Sequence, residues 1–256
     1  MHNVRTGSGK PLVLVHGLGS SFRNWDPIVP ALSEERQVIA VDLPGFGRTP
    51  PLPEVTIATL TDALREFLDE QGLSDVDIVG SSMGARMVLE LARRGHRGTV
   101  VALDPGGFWN DTQVKIFGAS ITASVALVSR IQPLLPFVTG NAVTRTLALA
   151  QFSAAPWKLP QDLVLRELRG FSDEASPSLS DARKALIHGP RQEGGPLSGK
   201  VVIGWGRQDK VTLPSEADVA MEKFPDAELH WFDKCGHFPH WDQPEETKAL
   251  ILRACA

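Results

Sequence analysis

Short apolar runs, interrupted only by Asp77 and Gly204, recur along the chain, each followed by a turn and then by a stretch with helical spacing. The runs are Leu12-Val13-Leu14-Val15, Val38 to Val41, Val76 to Val79, Val100 to Leu103 and Val201 to Trp205. Runs of four or five residues that are almost wholly apolar, mostly β-branched and without alternation, fit a strand buried on both faces of a parallel sheet. Between them, Phe22 to Leu32 places Trp25, Ile28, Val29 and Leu32 near helical spacing, with Pro27 and Pro30 interrupting. Ala58 to Gln71 puts Leu60, Leu64, Phe67 and Leu68 on one face, and Gly72 stops it. Ala85 to Arg94 is a third helical run. Late in the chain come a helix over Ser215 to Lys223, a strand over Glu228 to Phe232 and a helix over Glu245 to Arg253. Repeated strand–helix units predict an α/β fold, a mostly parallel doubly wound sheet covered on both faces.

The alternation stops after Leu103 and resumes at Val201. Residues 108–196 hold helix-like runs broken by Pro and no strand. The chain therefore divides into a core, 1–107 with 197–256, and an inserted helical cap, 108–196. The first cap helix, Val114 to Arg130, carries Ile116, Phe117, Ile121, Val125, Leu127 and Val128, and the next stretch adds Ile131, Leu134, Leu135, Phe137 and Val138. That is more apolar surface than a solvent-facing helix needs, so the segment is expected to roof the sheet.

Composition acts mainly by exclusion. The 256 residues are 42% hydrophobic, with formal net charge −4, ordinary values for a globular chain. No basic stripe invites nucleic acid. The longest weakly charged stretch, Ile116 to Ser129, is broken by Ser and Thr and is expected to be too short for a bilayer. The first residues, Met1-His2-Asn3-Val4-Arg5, lack the apolar core of a secretory signal. Cys235 and Cys255 are too few for a disulfide framework and read as free thiols of a reducing, cytoplasmic compartment. Tyrosine is absent, so no Tyr serves as acid or oxyanion donor.

The chemistry concentrates on Val79-Gly80-Ser81-Ser82-Met83-Gly84, between a strand and a helix. A Gly-x-Ser-x-Gly spacing there lets Ser82 take a sharp, strained turn, because its neighbours two places either side are small. A serine hydroxyl needs a base, and the base an orienting carboxylate. His237 follows the last strand directly, and His240 is its nearest rival. Asp209 and Asp104 both end strands and both qualify as the acid, while Asp42 is expected to shape its own loop. The glycine loop Gly17-Leu18-Gly19 offers a backbone N–H, that of Leu18, to an oxyanion. Met83, next after Ser82, offers a second.

These motifs, with Asp42-x-Pro44-Gly45-x-Gly47, Gly206-x-x-Asp209 and Gly236-His237, occur in the order Ser…Asp…His and resemble the α/β-hydrolase superfamily over nearly the whole chain. The resemblance implies a catalytic triad of Ser82, Asp209 and His237, oxyanion donors at Leu18 and Met83, and a helical cap between the family's sixth and seventh strands. Only about ten residues precede the first buried strand, so the N-terminal edge hairpin usual in the family is reduced here.

Cofactor motifs fail. Gly17-x-Gly19 has Phe22 where a dinucleotide loop needs glycine, and Gly9-Lys10 is followed by Pro11, not Ser or Thr. No spacing suggests a metal site. The expected activity is a cofactor-free serine carboxylesterase that cleaves esters with apolar, small-to-medium acyl groups through an acyl-enzyme. The expected partner is a small apolar ester. Ser82-Met83-Gly84 also resembles the carbon–carbon bond hydrolases of vinylogous diketones, although Phe238 stands where those enzymes carry Trp after the histidine. A small-molecule receptor on the same scaffold is the non-enzymatic alternative. Ser82 argues against dehalogenases and epoxide hydrolases, which carry Asp at the elbow.

Overall fold

In a computed structural model that describes residues 1–256, the apolar runs are the inner strands of one seven-stranded sheet. The strands are β1 (Asn3–Thr6), β2 (Pro11–Val15), β3 (Gln37–Val41), β4 (Asp77–Ser81), β5 (Val100–Leu103), β6 (Val201–Gly206) and β7 (Glu228–Phe232), in the order β1-β3-β2-β4-β5-β6-β7. All neighbours run parallel except β1, which pairs antiparallel with β3, Asn3 opposite Val41. β1 was not foreseen. Three of its four residues are polar, and none is buried, as an edge strand permits, so they carry no apolar run. In this chain β1 forms that edge of the sheet.

Successive strand residues point to opposite faces, and the two cores divide accordingly. Leu12 and Leu14 pack with Trp25, Ile28, Leu250 and Ile251 on one face, beneath the helices α1 (Val29–Leu32) and α11 (Pro244–Ala254). Val13 and Val15 pack with Leu60, Leu64, Met87 and Leu91 on the other, beneath α2 (Ile57–Glu70) and α3 (Met83–Arg93). Each fully buried Leu or Val contributes about 1.5–3 kcal/mol. α2 begins at a capping box in which Thr56 and Thr59 satisfy each other's backbone N–H. The predicted helix over Phe22 to Leu32 is instead a single 3₁₀ turn, Phe22–Trp25, and one α-turn, α1. Pro27 has no N–H to give to the carbonyl four residues back, so the helical hydrogen-bond ladder breaks there.

From Leu103 to Val201 the chain forms five helices: α4 (Asp111–Arg130), α5 (Leu135–Gly140), α6 (Ala142–Leu149), α7 (Gln161–Gly170) and α8 (Leu179–His188). They join the sheet between its fifth and sixth strands. α4 is longer than the apolar stretch read from the sequence. Its length and mean hydropathy of 1.2 would suffice to cross a membrane, yet Phe117, Ile121 and Val125 turn into the main core. Leu179, Ala182 and Leu186 of α8 join the same core. A smaller cluster, with Leu135, Leu149, Leu163 and Leu168, holds α5, α6 and α7 together over Trp241. α9 (Glu216–Lys223) and the short α10 (Pro239–Asp242) complete the helices.

Candidate active site

Because six strands run parallel, the segments after β2, β4, β5, β6 and β7 all emerge at one edge of the sheet, where open α/β sheets build their sites. The glycine loop, Ser82, Asp104, Asp209 and His237 lie on those five segments in that order. Ser82 has φ 55° and ψ −114°, a conformation costly for a residue with a Cβ. Packing holds it there. A Cβ on Gly80 would run into the Gly84 carbonyl, and one on Gly84 into those of Val15 and His16, so the turn closes only with glycine at both places. The Ser82 N–H donates to the Leu103 carbonyl at 2.9 Å, which ties the turn to β5.

His237 Nε2 lies 2.8 Å from Ser82 Oγ, and its Nδ1 lies 2.8 Å from Asp209 Oδ2. The His237 backbone N–H donates to the Phe152 carbonyl at 2.8 Å, so the loop after β7 is anchored to the helical segment. Asp209 Oδ1 accepts from the N–H of Val211 at 2.7 Å, and Oδ2 accepts from Thr212 Oγ1 at 2.7 Å. Every partner donates, so Asp209 acts only as an acceptor, and the natural tautomer of His237 carries its proton on Nδ1 and presents a basic Nε2 to Ser82.

Asp104 is equally buried but does not reach His237 by hydrogen bond. Its Oδ1 accepts from the Gly206 N–H at 2.8 Å, and its Oδ2 has no partner. Burial, reinforced by the negative charge of Asp209 beside it, holds its carboxyl well above the usual carboxylate range. Of the two acids that end neighbouring strands, Asp209 is the one within hydrogen-bonding distance of His237. Asp104, Asp209 and His237 lie close enough to hold a metal ion, but both nitrogens of His237 are engaged by Asp209 and Ser82, which leaves it no free lone pair for one.

Leu18 N–H has no acceptor in the protein, and Met83 opens α3, where the first N–H groups have no helical partner. Both amides flank Ser82. His16, buried behind the loop, donates from Nδ1 to the Gly17 carbonyl at 2.7 Å and accepts from the Leu43 N–H at Nε2, 3.0 Å, which fixes the loop's path. Asp42 accepts from the N–H groups of Phe22 and Arg48 and organises its turn. His240, the rival base, lies behind the site: Nε2 bonds Asn24 Oδ1 at 2.6 Å, and burial pushes its pKa down to about 3.

A cavity of about 110 Å³ opens over Ser82 and His237. Phe117, Ile121, Leu127, Val128 and Ile131 form part of its wall, whereas Ile116, Leu134 and Phe137 of the same apolar stretch face outward. One lining residue was missed from the sequence: Glu167. It sits in Arg166-Glu167-Leu168-Arg169, which reads as a solvated charge pattern. The signal was its register. Leu163, Val164, Glu167 and Leu168 share one helix face, and that face turns inward.

Residues 12–250 match the Alpha/beta hydrolase family. The chain belongs to that family. It is similar to the dihydrolipoyllysine-residue acetyltransferase component of the acetoin cleaving system of Cupriavidus necator, 27% identical over 98% of the chain, which spans only 65% of that protein. It is 26% identical, over 98% of the chain and 89% of the relative, to 2-hydroxy-6-oxononadienedioate/2-hydroxy-6-oxononatrienedioate hydrolase 1 of Dechloromonas aromatica. In structure it is similar to a thermophilic esterase from Thermogutta terrifontis, with TM-score 0.76, 19% identity and coverage of 100% of this chain and 94% of that one. Fold and family thus agree with the strand–helix alternation read from the sequence, and the chain is an α/β hydrolase.

Proposed function

We propose that this α/β hydrolase is a serine carboxylesterase acting on esters with apolar groups through an acyl-enzyme. The observation that carries the reading is the hydrogen-bonded chain Asp209–His237–Ser82 ending at a cavity with fifteen hydrophobic residues among the twenty-two that line it. His237 Nε2 takes the Ser82 proton as Oγ attacks the ester carbonyl. The developing oxyanion is held by the N–H groups of Leu18 and Met83. The imidazolium returns the proton to the departing alkoxide, and the acyl group stays on Ser82. Water then gives a proton to His237, attacks the acyl carbon and releases the acid with Ser82 restored. Asp209 keeps its charge throughout.

Cleavage of a carbon–carbon bond is the second reading, favoured by the Dechloromonas aromatica relative. That relative is named for dicarboxylates. Here the cavity is lined by the carboxyl group of Glu167 and by no Lys or Arg, and an anion without a partner is costly to bury; this supports the ester reading. The test is one panel of p-nitrophenyl esters from acetate to decanoate together with a vinylogous diketone. kcat/KM should rise to about butyrate or hexanoate, each fitting methylene adding up to about 0.8 kcal/mol, and then fall. A diketone turned over much faster than every ester would transfer the assignment to the second reading.

A further inference from the structure

Glu167 is an acid in an apolar cavity with no cation to pair with. Its Oε2 accepts from Ser20 Oγ at 2.7 Å and from Asn24 Nδ2 at 2.9 Å. Its Oε1 takes no hydrogen bond from the protein and keeps some accessible surface, and Glu167 lines the cavity. The neighbouring cation does not turn to it: Arg166 bonds Asp26 at 2.6 Å and Asp162 at 3.0 Å, on the outside of α7. Behind it, Asn24 is held by His240 Nε2 and by the Trp241 indole N–H at 3.2 Å. Neutral donors thus fix the carboxyl group from behind and leave its free oxygen to whatever fills the cavity.

The rest of the wall is aromatic. Phe171 meets Phe152 edge-on with centroids 6.3 Å apart, Phe152 stacks on Phe238 at 6.2 Å, and Phe238 lies 4.2 Å from Trp241. All four rings line the cavity with Glu167. Aromatic rings and a carboxylate without a cation partner together complement a weakly hydrated organic cation. A carboxylate ligand would meet repulsion, and a purely apolar one would leave the acid unpaired.

We propose that this cavity takes esters bearing an ammonium group, with Glu167 as counter-charge and the Phe152, Phe171, Phe238 and Trp241 rings around the cation. For its reaction the proposal rests on the esterase reading; for binding it does not. Burial pushes the Glu167 carboxyl up to about 7, against the hydrogen bonds of Ser20 and Asn24 and the charge of Arg166. A bound cation favours the ionised form, so preference for the cation should grow as pH rises through about 7. The other ionisable groups near it are Arg166, Asp26 and Asp162 outside, His240 behind Asn24, and His237 across the cavity. Comparing a cationic with a neutral ester cancels the part of the profile that belongs to His237, because both use the same base.

Two matched sets test the proposal. On the acyl side they are the methyl esters of 6-(trimethylammonio)hexanoate and of its neutral isostere 7,7-dimethyloctanoate, with monomethyl pimelate as the anion. On the alcohol side they are butyrylcholine and 3,3-dimethylbutyl butyrate. In the wild type, one set should show a cationic-to-neutral ratio of kcat/KM of about ten or more, rising between pH 6 and 8. Glu167→Gln should cut that ratio about tenfold and flatten its pH dependence. Ser20 and Asn24 would hold the amide oxygen, so the NH₂ would face the cavity and pimelate would improve. A ratio near one in both sets, or one unchanged by the substitution or by pH in the wild type, overturns the proposal. Calorimetry with hexyltrimethylammonium separates the two readings. Tighter binding to wild type than to Glu167→Gln by about tenfold supports the cation site even if no ester turns over, and equal binding overturns it even if neutral esters are hydrolysed.

Discussion

The raised pKa of Glu167 has a consequence for stability that needs no substrate. In the unfolded chain its carboxyl titrates near 4.5; in the folded protein burial moves it to about 7. The folded state therefore holds the proton more tightly. Stability from this group is fully present below pH 4.5, and it is lost as pH rises through about 7. A shift of about 2.5 units, at about 1.4 kcal/mol per unit, makes the loss about 3 kcal/mol across that window. Glu167→Gln removes the titration while keeping an oxygen for Ser20 and Asn24. Other raised acids, such as Glu216 at about 8, are common to both proteins and drop out of the difference. Urea denaturation of both proteins at half-unit steps from pH 4 to 8 gives that difference directly. The variant should gain on the wild type by about 3 kcal/mol between pH 4.5 and 7 and then hold constant. A difference that stays flat with pH would show that Glu167 is not buried uncharged, and the cavity would have to be redrawn as solvent-filled.

Other outcomes follow from the same geometry. Ser82→Ala should lower ester kcat/KM by about 10⁴ or more and abolish fluorophosphonate labelling. Asp209→Asn should lower kcat by about 10² to 10⁴, because it turns the His237 tautomer, whereas Asp104→Asn, at a side chain that makes no hydrogen bond to His237, should cost only a few-fold. The reverse order would make Asp104 the working acid. Gly84→Ala should yield little folded protein, since a methyl group there meets backbone of β2 that cannot move without breaking the sheet; soluble expression at wild-type level with an unchanged Tm would contradict the packing described.

The inner strands were legible because burial on both faces forces continuous apolar runs, and Val13 and Leu14 show the two faces in adjacent residues. β1 was not, because an edge strand needs no such run. Helix continuity over Phe22 to Leu32 failed at Pro27, where the missing N–H outweighs good apolar spacing. At the site, the strand-end positions of Ser82, Asp209 and His237 could be read from the alternation alone. Which acid faces the histidine could not: Asp104 and Asp209 follow neighbouring strands, and only the side-chain directions separate them, one toward the Gly206 amide and one toward His237. Glu167 was hidden by its charged neighbours, although its register with Leu163 and Leu168 pointed it inward.

The central claim is that Ser82 carries the acyl group between two half-reactions. Rapid mixing with p-nitrophenyl butyrate at pH 7.5, quenching in acid and peptide mass spectrometry tests it most directly. A burst of p-nitrophenol and a butyryl group on the peptide that contains Ser82, absent in Ser82→Ala, are expected. A butyryl group on another residue, or steady release of p-nitrophenol by wild type and Ser82→Ala alike, would contradict it.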